Sequence, residues 1–503
     1  MKTKNKSILL YALIIAMGGL LMGFDASVIS GVVKFIEPEF SLSKIELGWA
    51  VASLSLTATL AMMFAGPISD KLGRNVVLKY SALLYFFSAI LSAVAPSFLI
   101  LAPMYIAEIS PAEKRGKLVS FNQLNIVIGI SVAFFTNYLI VHLSSSNTEW
   151  FQVLKIKEYN WRWMLGIEAF PALLYYILLF FVPQSPRWLL MKGRYNEALI
   201  IMKKLGDDET AEKMITEFKE SILLDAKPKE KSSIKNLFLP SMKLVLSIGI
   251  VIAVLQQITG INSVFFYAPM IFEQSGIGTD AAFIQAILVG LINVVFTIVA
   301  MALIDKLGRK PLLAIGVTGV ALSMFLLSYS FNAATYTLTN DSISKLPKEI
   351  NVEQISVLQD KTFQSDTEFK QAITEVIGVA AQKKYESELI SASITMNAML
   401  ILFGILGFVA SFAISLGPVM WVLFSELFPN KIRGIAISFV GFINSAVSFV
   451  VQLVFPWELE KFGSTLTFLL YGIFALIGLV FIMKLLPETK GKSLEELEAT
   501  LVK

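Results

Sequence analysis

The chain has 503 residues, of which 55% are hydrophobic and 16% charged, and its formal net charge is only +4. This apolar excess lies outside the range of soluble globular domains, so a soluble enzyme is excluded and no nucleic-acid partner is expected. Because the chain has no cysteine and a single histidine, disulfides, thiol nucleophiles, cysteine metal sites and histidine-based triads are excluded, and no cofactor is expected.

Eleven apolar runs have about the length that a membrane-spanning helix needs. The first group covers 7–33, 47–69, 76–95, 118–143 and 161–182, and the second covers 242–272, 281–304, 311–331, 394–423, 435–456 and 466–486. Backbone polar groups in lipid must be satisfied within their own segment, so each run predicts a helix. The fold class predicted is an all-α polytopic membrane protein whose first run is retained, since it has no cleavage site.

Lysine and arginine fall mainly on one side of alternate runs, as Lys71 with Arg74 and Lys306 with Arg309 illustrate. The positive-inside rule makes that side cytoplasmic, together with both termini. The predicted organisation is a membrane half at 1–183, a cytoplasmic helical linker at 184–240, a second membrane half at 241–486 and a cytoplasmic tail at 487–503. A polar stretch at 332–391 is predicted to be an external insertion in the second half.

Two motifs occur twice, once in each half. Asp70-Lys-Leu-Gly-Arg74 recurs as Asp305-Lys-Leu-Gly-Arg309, and the Glu108 to Arg115 spacing recurs from Glu426 to Arg433. Paired motifs on one side of the membrane indicate two parallel six-helix halves with a solute site between them, near the midplane. This architecture is typical of transporters more than of channels.

Several longer motifs carry a resemblance to a known family. They are Pro103-Met-Tyr-Ile-Ala-Glu108, Pro186-Arg-Trp188, Gln256-Gln257-x4-Asn262, Gly417-Pro-Val-Met-Trp421, Glu426-x2-Pro429-x3-Arg433-Gly434 and Pro487-Glu-Thr-Lys-Gly491. Over almost its full length the chain resembles the sugar porters of the major facilitator superfamily, most closely the xylose-carrier-like bacterial sugar:proton symporters. The resemblance implies a monomer of nominally twelve helices in the inner membrane that moves a monosaccharide and protons by alternating access.

One departure from the family is large. Only 39 residues, 75–113, separate Arg74 from Lys114, whereas two crossings need about 40 apolar residues plus a turn. The glycine-rich stretch that the family has between Phe98 and Pro103 is absent. The sequence therefore predicts a truncated fourth helix, a half-helix at 97–107, which a natural deletion or an artefact of the gene sequence would equally produce.

Carboxamides in the apolar runs are the predicted sugar contacts. A pyranose presents hydroxyls that both donate and accept, and amides match both capacities where carboxylates do not. Each amide alone is as well explained as a contact between helices, but the resemblance implies sugar binding. The candidates are Gln123, Gln256, Gln257, Asn262, Asn293 and Asn444.

Aromatic rings and helix breaks complete the predicted site. Trp421 is expected to stack on a sugar face, with Tyr267 and Phe24 as neighbours, although lipid-facing packing explains the last two equally well. Gly260 in one long run and Gly417 in another are expected to permit gating bends next to the site, with static kinks as the alternative.

Asp25 is the carboxylate that lies deep in the first apolar run, and acids within the membrane are by default candidate proton sites. The resemblance implies an arginine partner on the fourth helix, where the chain is short. An uncoupled facilitator, a transport-defective variant and a non-transporting sugar sensor therefore stay open beside proton symport.

Charged residues at the cytoplasmic helix ends are expected to form a latch that is made in one state and broken in the other. Surface ion pairs of little consequence are the alternative. The latch residues are Asp70, Arg74, Glu108, Arg115, Asp305, Arg309, Glu426 and Arg433. Gln184 replaces a glutamate usual in the family, so one contact is expected to be lost there.

Overall fold

A computed structural model describes residues 2–95, 117–146, 148–205, 212–213, 215, 234–344, 346–347, 349–429, 432–492 and 494–501. The predicted half-helix at 97–107 lies outside these residues. So do two of the predicted latch residues, Glu108 and Arg115.

The first group of helices follows the first five apolar runs. A capping box, in which the Ser43 hydroxyl and the Glu46 carboxylate bond each other's backbone N–H groups, starts the second helix. The last run is broken into two short helices. The elements are α1 (Lys2–Glu39), α2 (Lys44–Leu72), α3 (Arg74–Ala93), α4 (Lys117–Ser144), α5 (Glu149–Val153), α6 (Asn160–Gly166) and α7 (Ala169–Leu178).

The linker contributes α8 (Pro186–Met191), α9 (Tyr195–Leu205) and the 3₁₀ turns Ile234–Phe238 and Pro240–Met242, and the second group of helices follows. Two of its crossings are broken, at Gly260 and at Ser415, and Gly463 divides its longest helix at a φ of 71°. The elements are α10 (Lys243–Ile258), α11 (Ile261–Glu273), α12 (Thr279–Leu307), α13 (Arg309–Asn332), and later α19 (Ala398–Ile414), α20 (Leu416–Leu427) and α21 (Arg433–Leu485). The tail helix α22 (Leu494–Leu501) packs against α20.

Within the described residues, eight segments are long and apolar enough to cross a membrane by length and composition. Here α21 is one segment, although Gly463 divides it. The prediction of a polytopic helical membrane protein is confirmed.

Between α13 and α19 the chain forms a small folded unit that we call the inserted unit, residues 333–397. It contains a three-stranded antiparallel sheet in the order β2-β1-β3, which the sequence did not predict. Its buried core includes Tyr336, Phe369 and Leu389, and the rings of Tyr336 and Phe369 stack 5.5 Å apart. Its elements are β1 (Thr335–Thr337), α14 (Asn340–Ser344), α15 (Val352–Ile355), the 3₁₀ turn Ser356–Leu358, β2 (Thr362–Phe363), α16 (Asp366–Ile377), α17 (Val379–Lys384), α18 (Glu386–Ser393) and β3 (Ile394–Thr395).

The two helix groups pack together through α2 on α21, α4 on α12 and α1 on α11. The backbones come very close where α2 crosses α21: a Cβ atom added to Gly48 would lie 2.0 Å from the carbonyl oxygen of Leu453. Only glycine allows that approach. One continuous hydrophobic core joins both groups.

Candidate functional site

A helix break brings three of the predicted carboxamides together. Gln256 and Gln257 lie in the last turn of α10, and Asn262 lies in the first turn of α11. Gly260 between them has a φ of +86°, a left-handed conformation that ends one helix and starts the next. Both glutamines are buried, so each amide needs hydrogen-bond partners.

The partners come mainly from α21. Nε2 of Gln257 donates to Oδ1 of Asn444 at 3.1 Å, and Nδ2 of Asn444 donates to Oε1 of Gln256 at 2.8 Å. Asn262 donates to Oε1 of Gln257 at 2.8 Å, and Gln256 donates to the Leu416 carbonyl at 2.9 Å. Four predicted residues therefore form one hydrogen-bonded network, the carboxamide network of Gln256, Gln257, Asn262 and Asn444.

The network continues to residues that the sequence analysis did not select. Asn262 Nδ2 donates to the Ser448 hydroxyl at 2.7 Å, and Nε2 of Gln452 donates to the same hydroxyl at 2.6 Å. Gln452 also donates to Oγ of Ser55 at 2.8 Å, on α2 of the first group. The rule that selects amides within apolar runs applies to Gln452 as well, and it would have found this residue.

Two aromatic residues lie beside the network. The Tyr267 hydroxyl donates to the Gln452 carbonyl at 3.3 Å, and its ring lies 5.2 Å from that of Phe455. Trp421 is half-buried on α20, and its ring lies 3.7 Å from the position a Cβ atom would take on Gly441.

The remaining predicted site residues are more dispersed. Gly417 is buried in the first turn of α20, directly after the helix break. Gln123 is half-buried on α4, Asn293 is buried on α12 and Phe24 is buried on α1. In the described part of the chain, no hydrogen bond joins Gln123 or Asn293 to the carboxamide network.

Asp25 is buried on α1, and its carboxyl forms a side-chain hydrogen bond with Glu168, which lies between α6 and α7. Glu168 is 3% exposed. A hydrogen bond between two carboxyl groups needs a proton on one of them, because ionised carboxylates only accept. Glu168 was missed, although it stands within an apolar run as Asp25 does.

The predicted latch is clearest in the second group. Arg309 pairs with Glu426 at 2.8 Å and with the exposed Asp305 at 3.3 Å. Thr489 donates to the other oxygen of Glu426 at 2.6 Å. Arg433, the last of the predicted latch residues, donates to the carbonyl of Phe428 at 3.0 Å. These contacts tie helix ends within one group.

The tail residue Glu488 caps the start of α13. Its carboxylate accepts from the backbone N–H groups of Arg309 and Lys310, each at 3.1 Å. Burial favours the neutral acid, but these N–H groups and that of Lys490 outweigh it and lower the pKa of Glu488.

The first group repeats this arrangement with an amide. Gln184 Oε1 accepts a long hydrogen bond, 3.4 Å, from the backbone N–H of Asn75. The expected loss of contact is therefore partial, because a neutral amide still accepts at this position. Arg74 is half-buried at the start of α3, and Asp70 lies near the end of α2.

A family model described as "Sugar (and other) transporter" matches residues 11–102, 97–346 and 373–501. This chain belongs to that transporter family. The match divides at 97–102, where the sequence predicts the truncated helix. That truncation stays a prediction.

Curated relatives of this sugar transporter align with it over nearly the whole length of both chains. The arabinose-proton symporter of Bacillus subtilis (strain 168) is 32% identical and aligns over 97% of this chain and 93% of its own. The D-xylose-proton symporter of Escherichia coli (strain K12) is also 32% identical, over 97% and 94%.

Solved structures agree in fold. The major facilitator superfamily proton:xylose symporter XylE bound to 6-bromo-6-deoxy-D-glucose matches with a TM-score of 0.67 and 30% identity, covering 99% of this chain and 100% of that one. A partially occluded inward open conformation of XylE from E. coli matches with a TM-score of 0.69 and 29% identity, over 97% and 100%. The predicted family and major facilitator fold are confirmed.

Proposed function

We propose that this protein carries a monosaccharide, a pentose or a hexose, across the inner membrane by alternating access and in symport with protons. The observation that carries the proposal is the carboxamide network at the helix break of α10 and α11. It concentrates donors and acceptors within an apolar bundle, where nothing but a polar ligand or other protein groups can satisfy them.

Sugar binding would proceed by exchange of hydrogen bonds. The amides of Gln257 and Asn262 now bond each other, and Gln257 also bonds Asn444. A hydroxyl can replace either member of such a pair because it donates and accepts. The half-buried Trp421 would pack on the apolar face of the ring. We assign Gln123, Asn293, Phe24, Tyr267 and Gly417 to the same site as proposed lining residues.

Proton coupling is assigned to Asp25 together with Glu168. Two buried carboxyl groups in hydrogen-bonding contact can share one proton, and loss of that proton would place two like charges side by side. The protonation state of the pair would therefore depend on the proton concentration on the side to which it is exposed. It also gives Asp25 a partner within the described residues, without an arginine on the fourth helix.

The gating elements are the breaks at Gly260 and Ser415 and the latch around Arg309. We propose that the side carrying this latch is cytoplasmic, with both termini and the linker 184–240, and that the inserted unit lies outside the cell. The distribution of lysine and arginine between the apolar runs supports this orientation. The protein is proposed to act as a monomer.

Uptake into vesicles tests the function. Purified protein is reconstituted, and uptake of labelled D-xylose, L-arabinose and D-glucose is followed with and without an inward proton gradient. Accumulation above the external concentration supports symport, and equilibration without accumulation supports an uncoupled facilitator. Binding without flux supports a sensor or a transport-defective chain and contradicts the proposal.

A further inference from the structure

The inserted unit is fixed to the second group of helices. The chain joins it to α13 at one end and to α19 at the other. The Ser391 hydroxyl donates to the Gly276 carbonyl at 2.8 Å, and Oδ1 of Asp366 lies 2.8 Å from the position a Cβ atom would take on Gly463. Any rigid movement of the second group therefore carries the inserted unit with it.

The same unit contacts the first group at the turn between α1 and α2. Nζ of Lys383 donates to the carbonyl of Leu42 at 2.9 Å. Nζ of Lys44 lies 3.8 Å from Oε2 of Glu386, and the side chains of both are largely buried. Close by, Lys34 on α1 pairs with Glu273 on α11 at 2.6 Å. At this end of the bundle the two groups are held together by charged side chains.

Lys44 and Glu386, the ion pair that links the inserted unit to the first group, each also have a partner within their own group. Lys44 pairs with Glu37 at 2.6 Å, and Glu386 pairs with Lys370 at 2.9 Å. Burial alone would raise the pKa of Glu386, but the ammonium groups of Lys370 and Lys44 outweigh it and lower that pKa to about 2.

This double pairing makes the ion pair of Lys44 and Glu386 separable. Breaking a buried ion pair is costly chiefly because it leaves an uncompensated charge. If the two groups moved apart here, Lys44 would keep Glu37 and Glu386 would keep Lys370, so neither charge would be stranded. Among the ion pairs that Lys44 and Glu386 form, the longest distance, 3.8 Å, is the one between the groups.

We propose that the inserted unit is an outer latch: it holds the two helix groups together at this end in the present conformation and releases the α1–α2 turn when the outer side opens. The latch is a moving part of the transport cycle. It differs from the Arg309 cluster in position and in the chain segments that form it.

Cross-linking tests the movement, and the chain has no native cysteine to remove. Leu42→Cys with Lys383→Cys places one thiol on each side of the contact. Joining them with a short thiol-reactive cross-linker in right-side-out vesicles is expected to abolish uptake of labelled D-xylose. Full uptake by completely cross-linked protein, or failure of this pair to cross-link, overturns the proposal.

A matched control is available within the unit. Thr337 and Thr362 are paired across β1 and β2, with their hydroxyl oxygens 2.9 Å apart. Thr337→Cys with Thr362→Cys cross-links the unit to itself, and uptake is expected to be unchanged. If this cross-link blocks uptake as fully as the first, the effect is not that of a latch and the proposal fails.

A second measurement does not depend on uptake, so it separates this proposal from the proposed function. Ala52 is buried on the face of α2 that also carries Gly48 and Ser55. In the single-cysteine variant Ala52→Cys, adding Glu386→Gln is expected to raise the labelling rate by an impermeant thiol reagent about threefold or more. Glu388→Gln, an exposed carboxylate on the same helix, should leave the rate unchanged. Equal rates for the two variants contradict the latch.

Discussion

The side-chain amide of Gln452 on α21 holds the hydroxyl of Ser55 on α2, with Nε2 donating to Oγ at 2.8 Å. The bond crosses between the two helix groups and continues through Ser448 into the carboxamide network. The candidate sugar site and the packing of the two groups therefore share hydrogen bonds.

Removing this bond should cost stability in a coupled way. Ser55→Ala and Gln452→Leu should each lower the apparent Tm in detergent, and hydrogen bonds between membrane helices are worth about 0.6 kcal/mol on average. The Tm of the double variant should be no lower than that of the less stable single variant, because each single substitution already removes the same bond. Ser438→Ala, whose exposed hydroxyl bonds the Gly434 carbonyl of its own helix, is the control. Fully additive losses would show that the two side chains do not interact.

Truncating the carboxamide network should weaken sugar binding. Gln257→Ala removes an amide that contacts three other members of the network, and a loss of about tenfold in Kd, or about 1.4 kcal/mol, is expected. Trp421→Ala should weaken binding by the loss of stacking. Titration calorimetry with D-xylose measures both. Gln371→Ala in the inserted unit is the control, and normal binding by both site variants would place the site elsewhere.

Neutral substitutions should separate proton coupling from sugar binding. Asp25→Asn and Glu168→Gln keep the shape of the buried pair but remove the shared ionisable proton. Both are expected to abolish gradient-driven accumulation while sugar binding persists. Gradient-driven uptake and sugar binding, both measured on each variant, test this expectation. Accumulation at the unsubstituted level in either variant would remove that residue from the coupling role.

Bulk at Gly48 should prevent the two groups from closing. A Cβ atom there would lie 2.0 Å from the Leu453 carbonyl, and backbone cannot yield as a flexible side chain can. Gly48→Val is expected to abolish uptake and to increase thiol labelling of Ala52→Cys from outside. Leu60→Phe adds bulk at an exposed position of the same helix and should be tolerated. Normal uptake by Gly48→Val would contradict the close packing of α2 on α21.

The outer latch should be insensitive to pH across the physiological range. The pKa of Glu386 is lowered to about 2 from 4.5, so its contribution is present above about 4.5 and is lost as the pH falls towards 2. The pKa of Lys370 is raised above 10.5 by Glu386 and Asp366 despite burial, so its contribution is lost only as the pH rises beyond that value.

Labelling of Ala52→Cys, normalised to a free thiol at each pH, should therefore be constant between pH 5 and pH 9. Lys44 and Glu37, which face the same contact, pair with each other. Accumulation of sugar should nevertheless vary with pH, because it depends on Asp25 and Glu168. A labelling rate that changes with pH in the same way as uptake would contradict the independence of the outer latch from the Asp25–Glu168 pair.

Much of the fold could be predicted from the sequence because lipid imposes strong local rules. Each of the eleven apolar runs coincides over most of its length with a helix or a broken helix pair, and the repeated motif with Arg309 does mark a charged cluster. Gln256, Gln257, Asn262 and Asn444 could be selected since a buried amide in an apolar run needs a partner, and here they are each other's partners.

The rest depends on contacts that no local pattern encodes. Leu42 and Lys383 are 341 residues apart in the chain, and each looks like an ordinary loop residue. Glu168 carries a local signal, a carboxylate among apolar residues, but its pairing with Asp25 follows only from how α1 packs on α6 and α7. The three-stranded sheet has strands of two or three residues, too short for periodicity to reveal.

The inserted unit, which we propose lies outside the cell, gives a lipid-embedded molecule a folded landmark. An antibody fragment raised against residues 333–397 has a folded epitope with its own core. A fragment whose footprint also includes the α1–α2 turn would distinguish one shape of the transporter from the other, and could be used to trap a single shape for imaging without altering any residue inside the membrane.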